Sequence, residues 1–260
     1  GSQLLQALLP LSHHIYVLDD LSTGQIKAIP SVKNVTFYNQ NYYDEEILAD
    51  ILPGIDYIFH LACANLLKSV NDIEHDFNTN LYGGVTLLQT ARSVCRNLKR
   101  LIYTSTTSIY GNAAVLPTGE DHYHITLPYA ASKFAMEHYC AVFHHLYRLP
   151  VSVLRLSNVF GSGQVTANPY CGVVAKFFEA ALQKKPLVIY GSGLQTRDFT
   201  FIEDAVSAIL TAAGKSEAVG RIYNVGTGVE TSVLALADRI MQICGNRDGH
   251  MVFRPKRAVD

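Results

Sequence analysis

What most constrains this chain is an alternation of two kinds of segment. Up to about residue 155, short β-branched or aromatic runs take turns with longer amphipathic stretches, the pattern of parallel βαβ units. Strands are predicted at His14 to Leu18, Val35 to Tyr38, Tyr57 to His60, Arg100 to Thr104 and Val151 to Leu154. Helical spacing covers Asp44 to Leu52, Asp76 to Val94 and Pro128 to Tyr147, the last with a proline where a first helical turn tolerates one. Further on, a helix is predicted over Val173 to Gln183, a strand over Leu187 to Tyr190 and a helix over Glu203 to Ala213. A strand over Ile222 to Val225 and a helix from about Thr231 to Cys244 complete the pattern. The expected fold is α/β, with a doubly wound parallel sheet over residues 1–160 and a smaller α/β lobe over 161–260, some of whose segments return to the sheet. No long polar linker intervenes, so a cleft between the two is expected.

A sheet of this kind opens with a strand feeding a glycine-rich turn, and the helix that follows offers backbone N–H groups to a pyrophosphate. Here Gly1-Ser2-Gln3-Leu4-Leu5-Gln6-Ala7-Leu8-Leu9 already reads as that helix. If Gly1 is the last glycine of GxxGxxG, about a dozen residues holding the first strand and two glycines are expected before it. The alternative is that Gly1-Ser2 is a cloning scar.

Composition removes several classes of function. Net charge is −1, with 21 basic and 22 acidic residues spread along 260, so no field steers nucleic acid or an anionic membrane and neither is an expected partner. Any phosphate must be gripped locally. No apolar run reaches the roughly 18 residues that span a bilayer. The five cysteines (Cys63, Cys95, Cys140, Cys171, Cys244) lie far apart and outside any CxxC, which fits reduced, core-filling thiols in a cytoplasmic protein. Ten histidines include His122/His124 and His144/His145, yet no HExxH or zinc-spaced set is present, and no metal is expected.

Three groups of residues carry chemistry. Ile15-Tyr16-Val17-Leu18-Asp19-Asp20 puts acids at the end of a strand, where a carboxylate can accept hydrogen bonds from both hydroxyls of an adenosine ribose. It would also repel a 2′-phosphate, and no arginine follows, which favours NAD over NADP. The plain structural alternative is an Asp pair opening a turn before Ser22-Thr23-Gly24. Tyr129 and Lys133 are spaced i, i+4 on a predicted helix, so both leave one face; an ammonium and a cationic nicotinamide near the phenol would favour the phenolate. With 15 tyrosines in the chain, that spacing is weak evidence alone. Tyr103-Thr104-Ser105-Thr106-Thr107-Ser108-Ile109-Tyr110-Gly111 follows a strand of the same sheet, and ligands sit at the carboxyl ends of such strands. A Ser/Thr turn bonding its own backbone would look the same.

Together these residues resemble the extended short-chain dehydrogenase/reductases and, more narrowly, the NAD-dependent nucleotide-sugar epimerase/dehydratase family. Asp19, with Asp20 beside it, matches the ribose-binding acid, and Asp44 the aspartate that contacts adenine. His60-Leu61-Ala62-Cys63 is close to HLAA with Cys for the last Ala, which sets Leu61 and Ala62 beside the cofactor. Asn80-Leu81-Tyr82-Gly83-Gly84 is similar to NxxGT, whose Asn belongs to the cofactor site. Thr106, four residues before Tyr110-Gly111, stands where the catalytic Ser or Thr belongs, and Tyr129-Ala130-Ala131-Ser132-Lys133 is the YxxxK. Leu154-Arg155-Leu156-Ser157-Asn158-Val159-Phe160-Gly161 resembles LRxxNVYG, whose Asn contacts substrate. Ile189-Tyr190-Gly191-Ser192-Gly193 with Gln195-Thr196-Arg197-Asp198-Phe199 resembles IYGDGxQxRDF, whose Arg grips the nucleotide diphosphate. Tyr223-Asn224-Val225-Gly226-Thr227-Gly228 with Thr231-Ser232 matches NVGTG…TS, and Arg257 corresponds to a second phosphate-binding Arg.

The resemblance implies Thr106, Tyr129 and Lys133 as the catalytic set and Gly1, Asp19, Asp20, Asp44, Leu61, Ala62, Asn80, Tyr129 and Lys133 as the NAD site. It implies Thr106, Asn158, Arg197 and Arg257 as substrate contacts, and a homodimer formed by the helices Asp76 to Val94 and Pro128 to Tyr147. The 4,6-dehydratases carry Asp-Glu after the catalytic Thr, and the glucuronate decarboxylases a Glu two beyond it; this chain has Thr107-Ser108. Without those carboxylates elimination at C5 or C6 is disfavoured, and C4 epimerisation of a UDP-sugar is the expected reaction. The alternatives are a decarboxylase, dehydratase or reductase of the same family, and, in another class, a non-catalytic dinucleotide sensor or a chain inert without its glycine turn.

Overall fold

In the computed structural model, which describes residues 1–11, 13–168, 171–246 and 249–257, local chemistry sets most elements in turn. Helix α1 (Ser2–Leu8) buries Leu4 and Leu5 and leads to strand β1 (Ile15–Leu18), with β2 (Val35–Tyr38) parallel to it. Helix α2 (Glu45–Ile51) begins where the Ile47 N–H donates to the Asp44 carboxylate at 3.2 Å, and Glu45 and Glu46 complement the positive end of the helix. Strand β3 (Tyr57–His60) follows as predicted.

The single helix expected over Asp76 to Val94 is instead several pieces. After α3 (Leu66–Asn71), capped by Asn65, and α4 (Ile73–Asp76), capped by Asp72, the chain widens into a π-helical turn over Phe77–Tyr82 before α5 (Gly83–Val94). Asn80 explains the widening. From inside the wide turn its side chain accepts the Ala64 N–H at 2.8 Å and donates to the Ala64 carbonyl at 3.0 Å and the Asp76 carboxylate at 2.6 Å, tertiary bonds that periodicity cannot foresee. Close packing follows, because a Cβ on Gly84 would lie 2.6 Å from Met136 Sδ.

Strand β4 (Arg100–Thr106) is buried throughout and runs two residues past its predicted end. Helix α6 (Pro128–Tyr147) has its predicted bounds: Leu127 is extended before the proline, and Arg148 closes the helix in the left-handed conformation. Then come β5 (Val151–Leu156), β6 (Asn158–Phe160), α7 (Val173–Leu182), β7 (Leu187–Tyr190), β8 (Thr196–Arg197) and β9 (Phe199–Phe201). The chain continues through α8 (Ile202–Gly214), β10 (Ile222–Val225), β11 (Thr231–Ser232), α9 (Val233–Ile243) and β12 (Met251–Arg254). Thr231 and Ser232, predicted as helix, pair with β8 instead, and the Ser232 hydroxyl caps α9 by accepting the Ala235 N–H.

The main sheet is parallel in the order β10-β5-β4-β3, so a C-terminal strand returns to it. On one face Leu88, Met136 and Phe143 pack on Leu101, Tyr103 and Val153; on the other Leu4, Val206 and Ile209 pack on Ile102 and Leu154. Helices on both faces make the sheet doubly wound. A separate core of Val174, Phe177, Leu187, Ile189, Ala237 and Ile240 joins α7 and α9 to the β7–β12 pair. The β1–β2 pair stands apart from the free edge of β3, and the cavity between them is lined largely by apolar side chains, among them Leu4, Leu18, Leu48 and Ile58. No helix among the described residues is long and apolar enough to cross a membrane.

Candidate active site

Strand β4 delivers Thr106 to the carboxyl end of the sheet. Its hydroxyl accepts the Ser108 N–H at 3.0 Å and donates to Ser108 Oγ at 3.0 Å, so the Ser/Thr turn does bond its own backbone. Tyr129 sits in the first turn of α6, close enough to Thr106 and Cys63 for both to act on its phenol. One turn on, buried Lys133 holds its Nζ 4.3 Å from the centre of the Tyr103 ring. Thr106, from a strand more than twenty residues earlier in the chain, is thereby brought to the helix turn that carries Tyr129 and Lys133.

Burial dominates the electrostatics here. It pushes the Tyr129 phenol well above its ordinary value, with Cys63 adding to the rise and the Thr106 hydrogen bond opposing it. It lowers Lys133 below its ordinary value, against the pull of Cys63, Cys140, Glu137 and Asp76. Desolvation of the phenol, rather than the neighbouring ammonium, is thus the leading influence on Tyr129. Beneath the pair, burial also raises the Asp76 carboxyl, against hydrogen bonds from Ser132 and Asn80. His60 lies with ring centroids 4.6 Å from Tyr42 and 5.3 Å from Tyr103, and burial first, then Lys133, pushes it down to about 3.

The large cavity adjoins this cluster. Gly1, Asp19, Asp20, Leu61, Ala62 and Cys63 are on its wall. Leu21 N–H donates to Asp19 Oδ1 at 2.8 Å and Ser22 N–H to Asp20 Oδ1 at 2.9 Å, so both acids also open the turn. Asn41 and Tyr42 form the wall nearby, and the Asp44 carboxylate next to them caps α2. Asn80 is engaged with Ala64 and Asp76 and so fixes the loop after β3.

The other expected substrate contacts lie beyond β5. Asn158 donates from its backbone N–H at 3.0 Å and from Nδ2 at 3.2 Å to the Asp198 carbonyl. Arg197 Nη1 donates to the Thr196 carbonyl at 2.7 Å, and the Arg257 guanidinium stacks 4.4 Å from the Tyr190 ring centre. Sequence reasoning overlooked Asp198. Its carboxylate accepts the Thr227 N–H at 3.0 Å, the Thr227 hydroxyl at 2.7 Å and the Gly228 N–H at 2.8 Å, pinning that turn beside Arg197. The contact of Cys63 with Tyr129 was overlooked too; the only signal was a thiol replacing alanine in the HLAA-like run. Among the described residues no group of three His, Cys, Asp or Glu is placed to hold a metal ion.

A doubly wound sheet with a Ser/Thr, Tyr and Lys set at its carboxyl edge, and with Asp19 and Asp20 at the end of β1, defines an enzyme of the short-chain dehydrogenase/reductase class. The model of the NAD dependent epimerase/dehydratase family matches residues 1–226, and the chain belongs to that family. It is 36% identical to the UDP-glucose 4-epimerase of Mycolicibacterium smegmatis, over 100% of this chain and 84% of that protein. Among solved structures it is similar to UDP-glucose 4-epimerase of Thermotoga maritima with UDP-glucose (33% identity, TM-score 0.93, 99% of this chain and 83% of that one). It is also similar to the Thermus thermophilus UDP-glucose 4-epimerase complex with NAD (30% identity, TM-score 0.88, 100% and 84%).

Proposed function

We propose that this chain is an NAD-dependent nucleotide-sugar epimerase that inverts C4 of a UDP-sugar by way of a 4-keto sugar. The observation that carries the reading is the gathering of Thr106, Tyr129 and Lys133 at the sheet's carboxyl end, against Cys63 of the loop Leu61-Ala62-Cys63 that follows β3. The donor set suits NAD: carboxylates at the end of β1 match ribose hydroxyls, and Lys133 is one turn from Tyr129 to hold a second ribose. NAD supplies the hydride acceptor and a cationic ring that favours the phenolate. Tyr129 takes the proton from the C4 hydroxyl, and Thr106 hydrogen-bonds the same oxygen. Arg197 and Arg257 hold the diphosphate with planar forks while Asn158 meets the substrate nearby, leaving the sugar free to turn over.

Elimination is disfavoured because Thr106 is followed by hydroxyls, and Ser108 is bonded to it. Incubation with UDP-, GDP- and dTDP-sugars followed by product analysis tests the reading: the C4 epimer of a UDP-sugar is expected, and a dehydrated or decarboxylated product would replace it with the rival family reactions. The division into an NAD-binding region over 1–160 and a nucleotide-sugar lobe over 161–260 belongs to the same proposal, as does a cytoplasmic location, in keeping with five free thiols. So does a homodimer. Tyr139, Val142 and Leu146 form an exposed apolar stripe on α6, suited to a second copy. Light scattering is expected to give twice the chain mass, and a monomer would exclude it.

A further inference from the structure

Strand β5 is buried and apolar at Val151, Val153 and Leu154, yet its next residue is Arg155, only 2% exposed. A buried guanidinium is costly unless its donors are met. Here they are met by three separate segments. Nε donates to Glu137 Oε1 at 3.0 Å and Oε2 at 3.2 Å, and Nη2 to Oε2 at 2.7 Å. Nη1 donates to the Tyr110 hydroxyl at 2.9 Å and the Glu120 carbonyl at 2.6 Å. The Tyr110 hydroxyl donates in turn to Asn224 Oδ1 on β10, whose Nδ2 donates to the Thr118 carbonyl at 2.8 Å and whose N–H donates to Glu120 Oε1 at 3.0 Å.

The addresses of these partners matter. Glu137 lies one turn beyond Lys133 on the helix that carries Tyr129, and Tyr110 lies four residues beyond Thr106. Thr118 and Glu120 belong to the segment 111–127 that joins the two. One guanidinium therefore ties together the turn after Thr106, the segment leading to Tyr129 and the helix that carries Tyr129. Its fork also occupies both oxygens of Glu137, the carboxylate that would otherwise draw the Lys133 ammonium away from Tyr129.

We propose that Arg155 is a positioning residue for proton transfer at Tyr129, setting the spacing of Thr106 from Tyr129 and keeping Glu137 from pairing with Lys133. The proposal rests on the epimerase reading given above. A buried ion pair with only a packing role can be weakened at the cost of stability alone, whereas a positioning role shows in turnover. Tyr110→Phe removes one hydroxyl and keeps the ring packed against Ile109 and Ala130. Arg155→Lys keeps a charge for Glu137 but lacks the fork that also reaches Tyr110 and Glu120.

The test is steady-state kinetics of both variants in the full protein, together with tyrosine 13Cζ NMR in which the Tyr129 signal is assigned by its loss in Tyr129→Phe. Expected is a fall in kcat of about 10-fold for Tyr110→Phe and about 100-fold for Arg155→Lys, with KM for the nucleotide sugar within about twofold of wild type. The Tyr129 signal shifts in each. Tyr110→Phe with kcat and the Tyr129 signal both unchanged overturns the proposal, whatever its Tm, and decides the matter alone if Arg155→Lys does not fold. A wild-type protein that inverts no sugar defeats the epimerase reading instead, and the NMR arm then still reports whether Arg155 sets the surroundings of Tyr129.

Discussion

A phenol lifted by burial is a poor base until a partner offsets the desolvation, so the side chains at Tyr129 have consequences out of proportion to their number. Tyr129→Phe keeps the ring and removes the proton acceptor. It is expected to lower kcat by about 10²- to 10⁴-fold while nucleotide-sugar binding, measured by calorimetry, changes little. His60 gives a second prediction, on stability. Its folded value of about 3 lies below the unfolded 6.5, so the unfolded chain binds the extra proton in that window. Stability is therefore full above about pH 6.5 and falls as pH drops toward 3; Tm measured from pH 7 to 4 declines, and more shallowly in His60→Phe. Tyr129 and Lys133 were legible because i, i+4 spacing survives any tertiary arrangement. The neighbours that tune them were not, because Cys63 and Asp76 reach the pair only after Asn80 has tied the loop at Ala64 to the wide turn.

Elements were readable where local chemistry decides and unreadable where distant contacts do. Helix α6 has its predicted bounds because proline at its start is a local constraint, whereas the stretch after Asp76 broke because Asn80 bonds residues sixteen positions away. The turn Gly191-Ser192-Gly193 lies between β7 and β8, the strand that ends at Arg197. Gly193 has φ +75°, and a Cβ there would lie 2.7 Å from Leu234 Cγ at the start of α9. Gly193→Ala is expected to destabilise the fold by about 1–3 kcal/mol through strain and overpacking, read by urea unfolding. An unchanged midpoint would show that this turn yields freely.

At the scale of the whole molecule, the alternation of short and long segments foretold the doubly wound sheet, since parallel strands need crossovers and the crossovers cover both faces. The pairings β6–β9, β8–β11 and β7–β12 escaped because two- to four-residue strands carry little periodicity and are defined by their partners. Arg155 could have been suspected: a cation inside an apolar strand demands a buried counter-charge, though sequence alone could not say that Glu137 supplies it. The sequence thus marked Thr106, Tyr129 and Lys133 as candidates but not the buried network that packs around them. The central claim is that a proton leaves the C4 hydroxyl through Tyr129 while the C4 hydrogen departs and returns without meeting water. A UDP-sugar deuterated at C4 tests this most directly: the epimerised product should keep its deuterium on C4, and label lost to solvent, or a product unchanged in configuration at C4, would contradict it.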